Sequence, residues 1–177
     1  MMSIAYLLSG SNQGDRSGNL RKAVAYLRNL AGEITKCSAV FESPAWGFEH
    51  PSPFLNQALE LKTELPPANM LRLILGIEKE CGRVRSETGG YEARTLDIDI
   101  LLFNDQVVET PELSIPHPRL HLRRFALLPL SEIAGEIHHP HLGKTISELL
   151  ADCPDTSNVK RFEDCCCECC HGKEDLS

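Results

Sequence analysis

The sequence has no surplus of positive charge and no long apolar run. The chain contains 18 lysines and arginines and 25 aspartates and glutamates, which gives a net charge of −7. This balance argues against a surface for nucleic acids or anionic membranes. No apolar stretch reaches the roughly 18 residues of a membrane span, and the apolar residues 3–9 lack a preceding basic region. We therefore expect a cytoplasmic protein that binds neither nucleic acid nor membrane, and we expect a monomer.

Cysteines are distributed unevenly along the chain. Three of the eight, Cys37, Cys81 and Cys153, stand alone within apolar patterns that predict buried thiols. The other five lie within residues 165–170, where adjacent cysteines have poor geometry for bridging each other. Their spacing is also poor for a structural zinc site. We predict a folded domain over residues 1–162 and a disordered acidic tail over residues 163–177, with a soft-metal site in the tail as the alternative.

Apolar periodicity predicts four strands, over residues 4–8, 34–41, 54–62 and 95–103. Two amphipathic helices separate them, one before the second strand and one after Pro66-Pro67. The apolar face of the first helix comprises Leu20, Ala23, Val24, Leu27 and Leu30. Further helices are predicted over residues 124–133 and 146–150. The order β-α-β-β-α-β predicts an α+β, ferredoxin-like core with an antiparallel sheet, helices on one face, and C-terminal additions.

The fourth predicted strand carries two acidic residues, Asp97 and Asp99. Side chains alternate along a strand, so both carboxylates share one face while Leu96, Ile98 and Ile100 face the core. Their Cα atoms would lie roughly 6.5 Å apart. Aspartate is a poor strand former, and magnesium is held in proteins by one or two carboxylates together with substrate phosphates. The pattern therefore favours a magnesium site over a solvated strand face.

Arginines bracket that strand. Arg83 and Arg85 open a glycine-containing loop, and Arg94 closes it. Guanidinium groups match phosphate oxygens with paired donors and keep their charge. Alone, these arginines would suit a solvated loop, but beside Asp97 and Asp99 they predict a phosphate-binding lid.

Two other motifs do not carry a function. Residues 143–145 resemble the end of a phosphate-binding loop, but His138 stands where that motif requires a glycine. The segment from Thr145 to Glu148 is instead a helix capping box. The loop histidines His138, His139 and His141 are expected to be solvated rather than ligands. His117 lies between two prolines, which restrict its backbone.

Taken together, these pieces are similar to the 6-hydroxymethyl-7,8-dihydropterin pyrophosphokinase family. The matching segments run in family order over residues 3–162. They comprise Gly10-Ser11-Asn12, Ser43-Pro44, Phe54-Leu55-Asn56, Glu78, Gly82-Arg83-Val84-Arg85, Arg94-Thr95-Leu96-Asp97-Ile98-Asp99, Pro116-His117-Pro118-Arg119 and Arg123 to Phe125. The resemblance implies transfer of diphosphate from ATP to the hydroxymethyl group of 6-hydroxymethyl-7,8-dihydropterin, with release of AMP, in tetrahydrofolate synthesis.

The resemblance also implies roles for individual residues. Asp97 and Asp99 would hold two Mg²⁺ ions that bridge the triphosphate of ATP, and Arg83 and Arg94 would close over the phosphates as catalytic groups. The implied nucleotide contacts are Glu78, Arg85, His117 and Arg123. The implied pterin contacts are Ser43, Pro44, Phe54, Asn56 and Phe125, with the two phenylalanines sandwiching the ring. No side chain stands out as a general base.

The sequence departs from the family pattern at a few positions. Glu92 and Ala93 precede Arg94, where the family usually has a small residue and often proline, and Tyr91 is a candidate replacement for a nearby aromatic. Arg124 occupies a usually small position. The rival hypothesis is a non-catalytic ferredoxin-like domain that binds a small regulatory ligand. That hypothesis explains the fold order but not the paired aspartates with their bracketing arginines.

Overall fold

The computed structural model describes residues 1–83 and 94–163. Its core elements are β1 (Ser3–Ser11), α1 (Arg16–Leu30), β2 (Glu33–Cys37), β3 (Phe41–Ser43), β4 (Phe54–Thr63), α2 (Pro67–Glu80) and β5 (Asp97–Phe103). After the core come β6 (Val108–Glu109), β7 (Ser114–Ile115), a 3-10 turn (Leu120–Leu122), α3 (Arg124–Ala134), α4 (Ile146–Ala151) and β8 (Lys160–Arg161). Arg85, the departures at residues 91–93 and the cysteine cluster lie outside the described residues.

The main sheet is antiparallel and has the ferredoxin-like strand order. β1 pairs with β5 on one side and β4 on the other, while β2 and β3 both pair with β4. β8 adds to the outer edge of β3. The predicted α+β core is therefore confirmed, and none of the helices in residues 1–83 and 94–163 combines the length and apolarity of a membrane span.

The predicted second strand is split in two at Ser38. The Ser38 hydroxyl accepts from the amide of Ala58 at 2.9 Å, while the Ser38 amide donates to the Ala58 carbonyl at 2.9 Å. A side-chain oxygen thus replaces a backbone carbonyl in the ladder, and the regular pairing stops there. The strand resumes as β3, which places Ser43 beside Phe54 on β4.

Apolar side chains cover both faces of the sheet. On one face, α1 and α2 pack on residues such as Leu7, Leu59 and Ile98. On the other, α3 and α4 pack on Tyr6 and Leu102. The two core helices thus share a face as predicted, and the C-terminal additions cover the second face.

Three predictions about burial are wrong. Leu30 is 54% exposed, because the buried Ala31, which follows α1, takes the next inward position after Leu27. His139 is buried rather than solvated, since its Nδ1 accepts from the amides of His141 and Leu142. The cysteines Cys37, Cys81 and Cys153 are half-buried free thiols at the core margins.

A register shift interrupts the pairing of β1 with β5. Tyr6 lies opposite Leu102, but Leu7 lies opposite Ile100, so Leu101 is an extra residue on β5. Leu101 and Leu102 consequently both face the second core. The Leu101 carbonyl accepts from the His117 amide at 2.9 Å. This β-bulge therefore separates the acidic beginning of β5 from its apolar end, and it fixes the backbone of His117.

Candidate active site

The acidic beginning of β5 forms the floor of a cavity of about 250 Å³. Asp97 lies opposite Gly10 on β1, and Asp99 lies opposite Leu8. Both carboxylates face the cavity, while Ile98 and Ile100 are buried in the opposite core. The predicted alternation is therefore confirmed. Most predicted site residues share this cavity, whose lining comprises Leu8, Gly10, Ser43, Pro44, Trp46, Phe48, Phe54, Asn56, Arg94, Asp97, Asp99, His117, Arg123 and Phe125.

Asp97 is held by the two arginines that bracket its strand. Arg83 Nη1 lies 2.7 Å from Asp97 Oδ1, and Arg94 Nη1 lies 2.6 Å from Asp97 Oδ2. The Asn12 side chain accepts from the Arg94 amide at 2.6 Å, and the Asn12 amide donates to the Arg94 carbonyl at 3.0 Å. Each carboxylate oxygen accepts from one guanidinium group and has a second lone pair, so a cation that binds Asp97 would share these oxygens with the arginines or displace them.

Glu78 lies beneath these arginines on α2 and is only 2% exposed. One carboxylate oxygen accepts from the Ile98 amide at 2.9 Å, and the other lies 2.7 Å from Arg83 Nη1. Glu78 thus joins α2, the start of β5 and Arg83 into one unit. Its sequence-based role as a nucleotide contact stays a prediction, but the buried contacts show that it also positions Arg83.

Asp99 occupies a different electrostatic environment from Asp97. It forms an ion pair with Arg123, whose Nη1 lies 3.6 Å from Asp99 Oδ2. Burial first, and then the neighbouring Asp97 carboxylate, raise the pKa of Asp99 above its ordinary value, and Arg123 and Arg94 only partly oppose the shift. The positive charge of a bound cation would stabilise the ionised form of Asp99. The two carboxylates are therefore suited to hold a cation.

His117 presents a neutral imidazole to the cavity. Burial and then the charge of Arg123 lower the pKa of His117 to about 4. Its Nδ1 accepts from the Arg119 amide at 3.2 Å, so the neutral ring carries its proton on Nε2. That Nε2 lies 3.3 Å from Arg123 Nη1. Two N–H donors side by side cannot bond to each other, but they suit an anionic oxygen placed between them.

Another wall of the cavity is aromatic with a buried polar edge. Phe54 and Phe125 both line it. Asn56 and Ser43 are 3% and 2% exposed, and Asn56 Nδ2 donates to Ser43 Oγ at 2.9 Å. A Cβ atom on Gly10 would lie 3.0 Å from Asn56 Oδ1, so glycine lets β1 approach this amide closely. The wall offers flat apolar surface beside amide and hydroxyl groups, as a flat heteroaromatic ligand requires.

Sequence reasoning missed two aromatic residues of this wall. Trp46 and Phe48 lie in the loop between β3 and β4 and line the cavity. The Phe48 ring packs edge-on against Phe54 with centroids 6.2 Å apart, and the Trp46 ring lies 6.3 Å from that of Phe125. A loop has no apolar period, so the only available signal was two large aromatics in a chain with 6% aromatic residues.

Comparisons with known proteins agree with this geometry. The family model for 7,8-dihydro-6-hydroxymethylpterin-pyrophosphokinase matches residues 6–135. The chain is 46% identical over 138 residues to 2-amino-4-hydroxy-6-hydroxymethyldihydropteridine pyrophosphokinase of Bacillus subtilis, an alignment that covers 77% of this chain and 81% of the relative. The chain belongs to this pyrophosphokinase family.

Two more distant likenesses extend the comparison. The folic acid synthesis protein FOL1 of Dictyostelium discoideum is 35% identical over 88% of this chain, which spans only 23% of that longer protein. The crystal structure of Plasmodium falciparum HPPK-DHPS wild type with pteroate has the same fold, with a TM-score of 0.71 and 18% identity. That match covers 86% of this chain and 44% of the solved chain.

Membership of the pyrophosphokinase family settles the class of protein. The chain is an enzyme, a pyrophosphokinase of folate biosynthesis. The non-catalytic ferredoxin-like domain that the fold order left open is therefore excluded. Arg124, a departure from the family pattern, begins α3, and its amide donates to Asp155 at 3.1 Å.

Proposed function

We propose that this enzyme transfers a diphosphate group from ATP to the hydroxymethyl group of 6-hydroxymethyl-7,8-dihydropterin and releases AMP. The observation that supports this most directly is one cavity with two chemically distinct walls. One wall is aromatic, from Phe54 and Phe125, and the other carries Asp97 and Asp99 with arginines around them. A flat pterin and a charged triphosphate can therefore lie side by side.

The proposed transfer forms one bond and breaks one bond. The pterin hydroxymethyl oxygen attacks the β-phosphorus of ATP and loses its proton, and the bond from that phosphorus to the AMP oxygen breaks. In such transfers the protein mainly positions the reactants and stabilises charge. Holding both substrates in one cavity supplies the positioning, and excluding water prevents loss of the diphosphate to hydrolysis.

Asp97 and Asp99 would hold the magnesium ions that accompany ATP. The fit rests on two carboxylates that share one strand face and open to the cavity, with side chains 20% and 30% exposed. Within residues 1–83 and 94–163, no group of three or more acidic, histidine or cysteine residues forms a metal site. Phosphate oxygens would therefore complete the ligand shell, as is usual for magnesium. Two bound ions would supply positive charge to the triphosphate.

The arginines and His117 would receive the phosphate oxygens. Arg83 and Arg94 now contact Asp97 and would move to the triphosphate once cations satisfy that carboxylate. Arg123 and the Nε2–H of His117 present adjacent donors on the far side of Asp99. Arg85, which lies outside the described residues, stays a predicted nucleotide contact.

The pterin would lie between the rings of Phe54 and Phe125. Stacking on two aromatic rings suits a flat heterocycle with a π-face. Asn56, Ser43 and the backbone at Pro44 would then supply hydrogen bonds to the edge of the ring. Buried amide and hydroxyl groups confer selectivity, because a ligand that leaves them unpaired loses affinity.

We further propose that catalysis is confined to residues 1–162 and that the enzyme acts as a cytoplasmic monomer. The proposed domain includes residues up to 162 because β8 pairs with β3 and the Phe162 amide donates to the Val40 carbonyl at 2.8 Å. Size-exclusion chromatography with light scattering tests the oligomeric state.

A nucleotide assay tests the proposed reaction. Purified full-length protein is mixed with ATP, magnesium and the hydroxymethyl pterin, and AMP is quantified with and without the pterin. We expect AMP in a one-to-one ratio with pterin diphosphate, dependent on both pterin and magnesium. Release of ADP instead of AMP, or AMP formation that ignores the pterin, would contradict the proposal. Asp97→Asn serves as the inactive control.

A further inference from the structure

Trp46, the only tryptophan of the chain, holds an arginine against its indole ring. The guanidinium carbon of Arg123 lies 4.8 Å from the centroid of the Trp46 ring and 5.6 Å from that of Phe125. The two rings are tilted by 56° with centroids 6.3 Å apart. Arg123 therefore lies in a corner between two aromatic rings.

This corner shields Arg123 from water. The Arg123 side chain is 10% exposed, and attraction between a cation and an aromatic face is strongest where the cation is desolvated. A guanidinium group that lies over an aromatic ring can still direct its N–H groups to other partners. Here Nη1 points between Asp99 and His117, at 3.6 Å and 3.3 Å.

We propose that Trp46 is a positioning residue for nucleotide binding, which acts by holding Arg123 in the orientation that meets a phosphate oxygen. The inference rests on the proposed function, in which Arg123 contacts ATP. It assigns a nucleotide-side role to a residue of the loop between β3 and β4, whose other aromatic, Phe48, packs on the pterin-side Phe54. The same loop would thus serve both substrates.

The competing explanation is that Trp46 is only part of the pterin wall. The two explanations differ when ATP is the sole ligand. A wall residue would leave ATP affinity unchanged in the absence of pterin, whereas a positioning residue would lower it. A positioning role also requires Arg123, because Trp46 would then affect ATP binding only through that guanidinium group.

Isothermal titration of the full-length protein with ATP and magnesium, without pterin, tests the proposal. Trp46→Leu should weaken ATP binding about tenfold, the scale of a desolvated cation–π contact, and Trp46→Phe should restore most of the affinity. Phe48→Leu, in the same loop, should leave ATP affinity unchanged and is the matched control. In an Arg123→Gln background, Trp46→Leu should cause no further loss.

Tryptophan fluorescence gives a second readout, since Trp46 is the only source of that signal. Adding ATP without pterin should change its emission in the wild type but not in Arg123→Gln at saturating ATP. Wild-type ATP affinity in Trp46→Leu, or an equal loss with and without Arg123, overturns the inference while leaving the proposed function intact. A wild-type protein that binds no ATP defeats the proposed function and this inference together.

Discussion

Asparagine in place of either strand aspartate should remove most turnover, yet the two changes should affect stability differently. Asp97 accepts from two guanidinium groups at 2.7 and 2.6 Å, on side chains that are 11% and 23% exposed. A hydrogen bond to a charged group contributes about 1.5–3 kcal/mol. Asparagine keeps one acceptor, and Arg83 keeps Glu78, so we expect Asp97→Asn to lower the free energy of unfolding by about 2 kcal/mol.

Asp99 should behave in the opposite way at neutral pH. Its pKa is raised in the folded protein by burial and by Asp97, so its ionised form is less favourable there than in the unfolded chain. Such a carboxylate lowers stability at pH values above its unfolded pKa. Asp99→Asn should therefore leave the free energy of unfolding unchanged or raise it by about 1 kcal/mol, the scale of a one-unit shift. The difference in the free energy of unfolding between this variant and the wild type should shrink as acid protonates Asp99 in the wild type.

Two assays decide this prediction. Urea denaturation without added cations gives the free energies of unfolding, and AMP formation at saturating magnesium gives turnover. Turnover should fall at least about 100-fold in both variants, because cation-mediated charge stabilisation is worth several kcal/mol. An equal loss of stability in both variants would refute the electrostatic argument, and near-normal turnover in either would refute its assignment as a metal ligand.

Three further predictions concern the rest of the site and the chain end. Arg83→Ala and Arg94→Ala should slow the chemical step in single-turnover kinetics more than they weaken ATP binding; weaker ATP binding with a wild-type chemical step would contradict this. Phe54→Ala and Phe125→Ala should each weaken pterin binding by about 1–3 kcal/mol and leave ATP affinity unchanged in titrations without pterin. Equal losses of affinity for pterin and ATP would instead indicate that the substitution disrupts the core. Deleting residues 163–177 should leave turnover and the melting temperature in reducing buffer nearly unchanged, and it should remove most oxidative cross-linking. Stoichiometric zinc in the purified full-length protein would contradict the prediction that this tail has no function.

Alternation along one strand was enough to predict which side chains of β5 line the candidate site. Asp97 and Asp99 could be placed on one face because strand geometry fixes the side of every second residue. The break at Ser38 could not be predicted, since it depends on a hydroxyl that bonds to a particular amide of β4. Trp46 was missed for a related reason, because its position depends on its contacts with Arg123 and Phe125 and not on any local period.

The extra residue Leu101 divides β5 into two halves that should tolerate mutation independently. Before the bulge the strand presents carboxylates to the cavity of the candidate site, and after it Leu102 and Phe103 fill the two cores. Core substitutions such as Leu102→Val should thus combine additively with changes at the acidic end, as sites without shared partners do. Deleting Leu101 would instead remove the carbonyl that holds His117, while Ile100, Leu102 and Phe103 would keep the faces that they have now. The bulge therefore serves the candidate site through a backbone carbonyl and not through the facing of the side chains along β5.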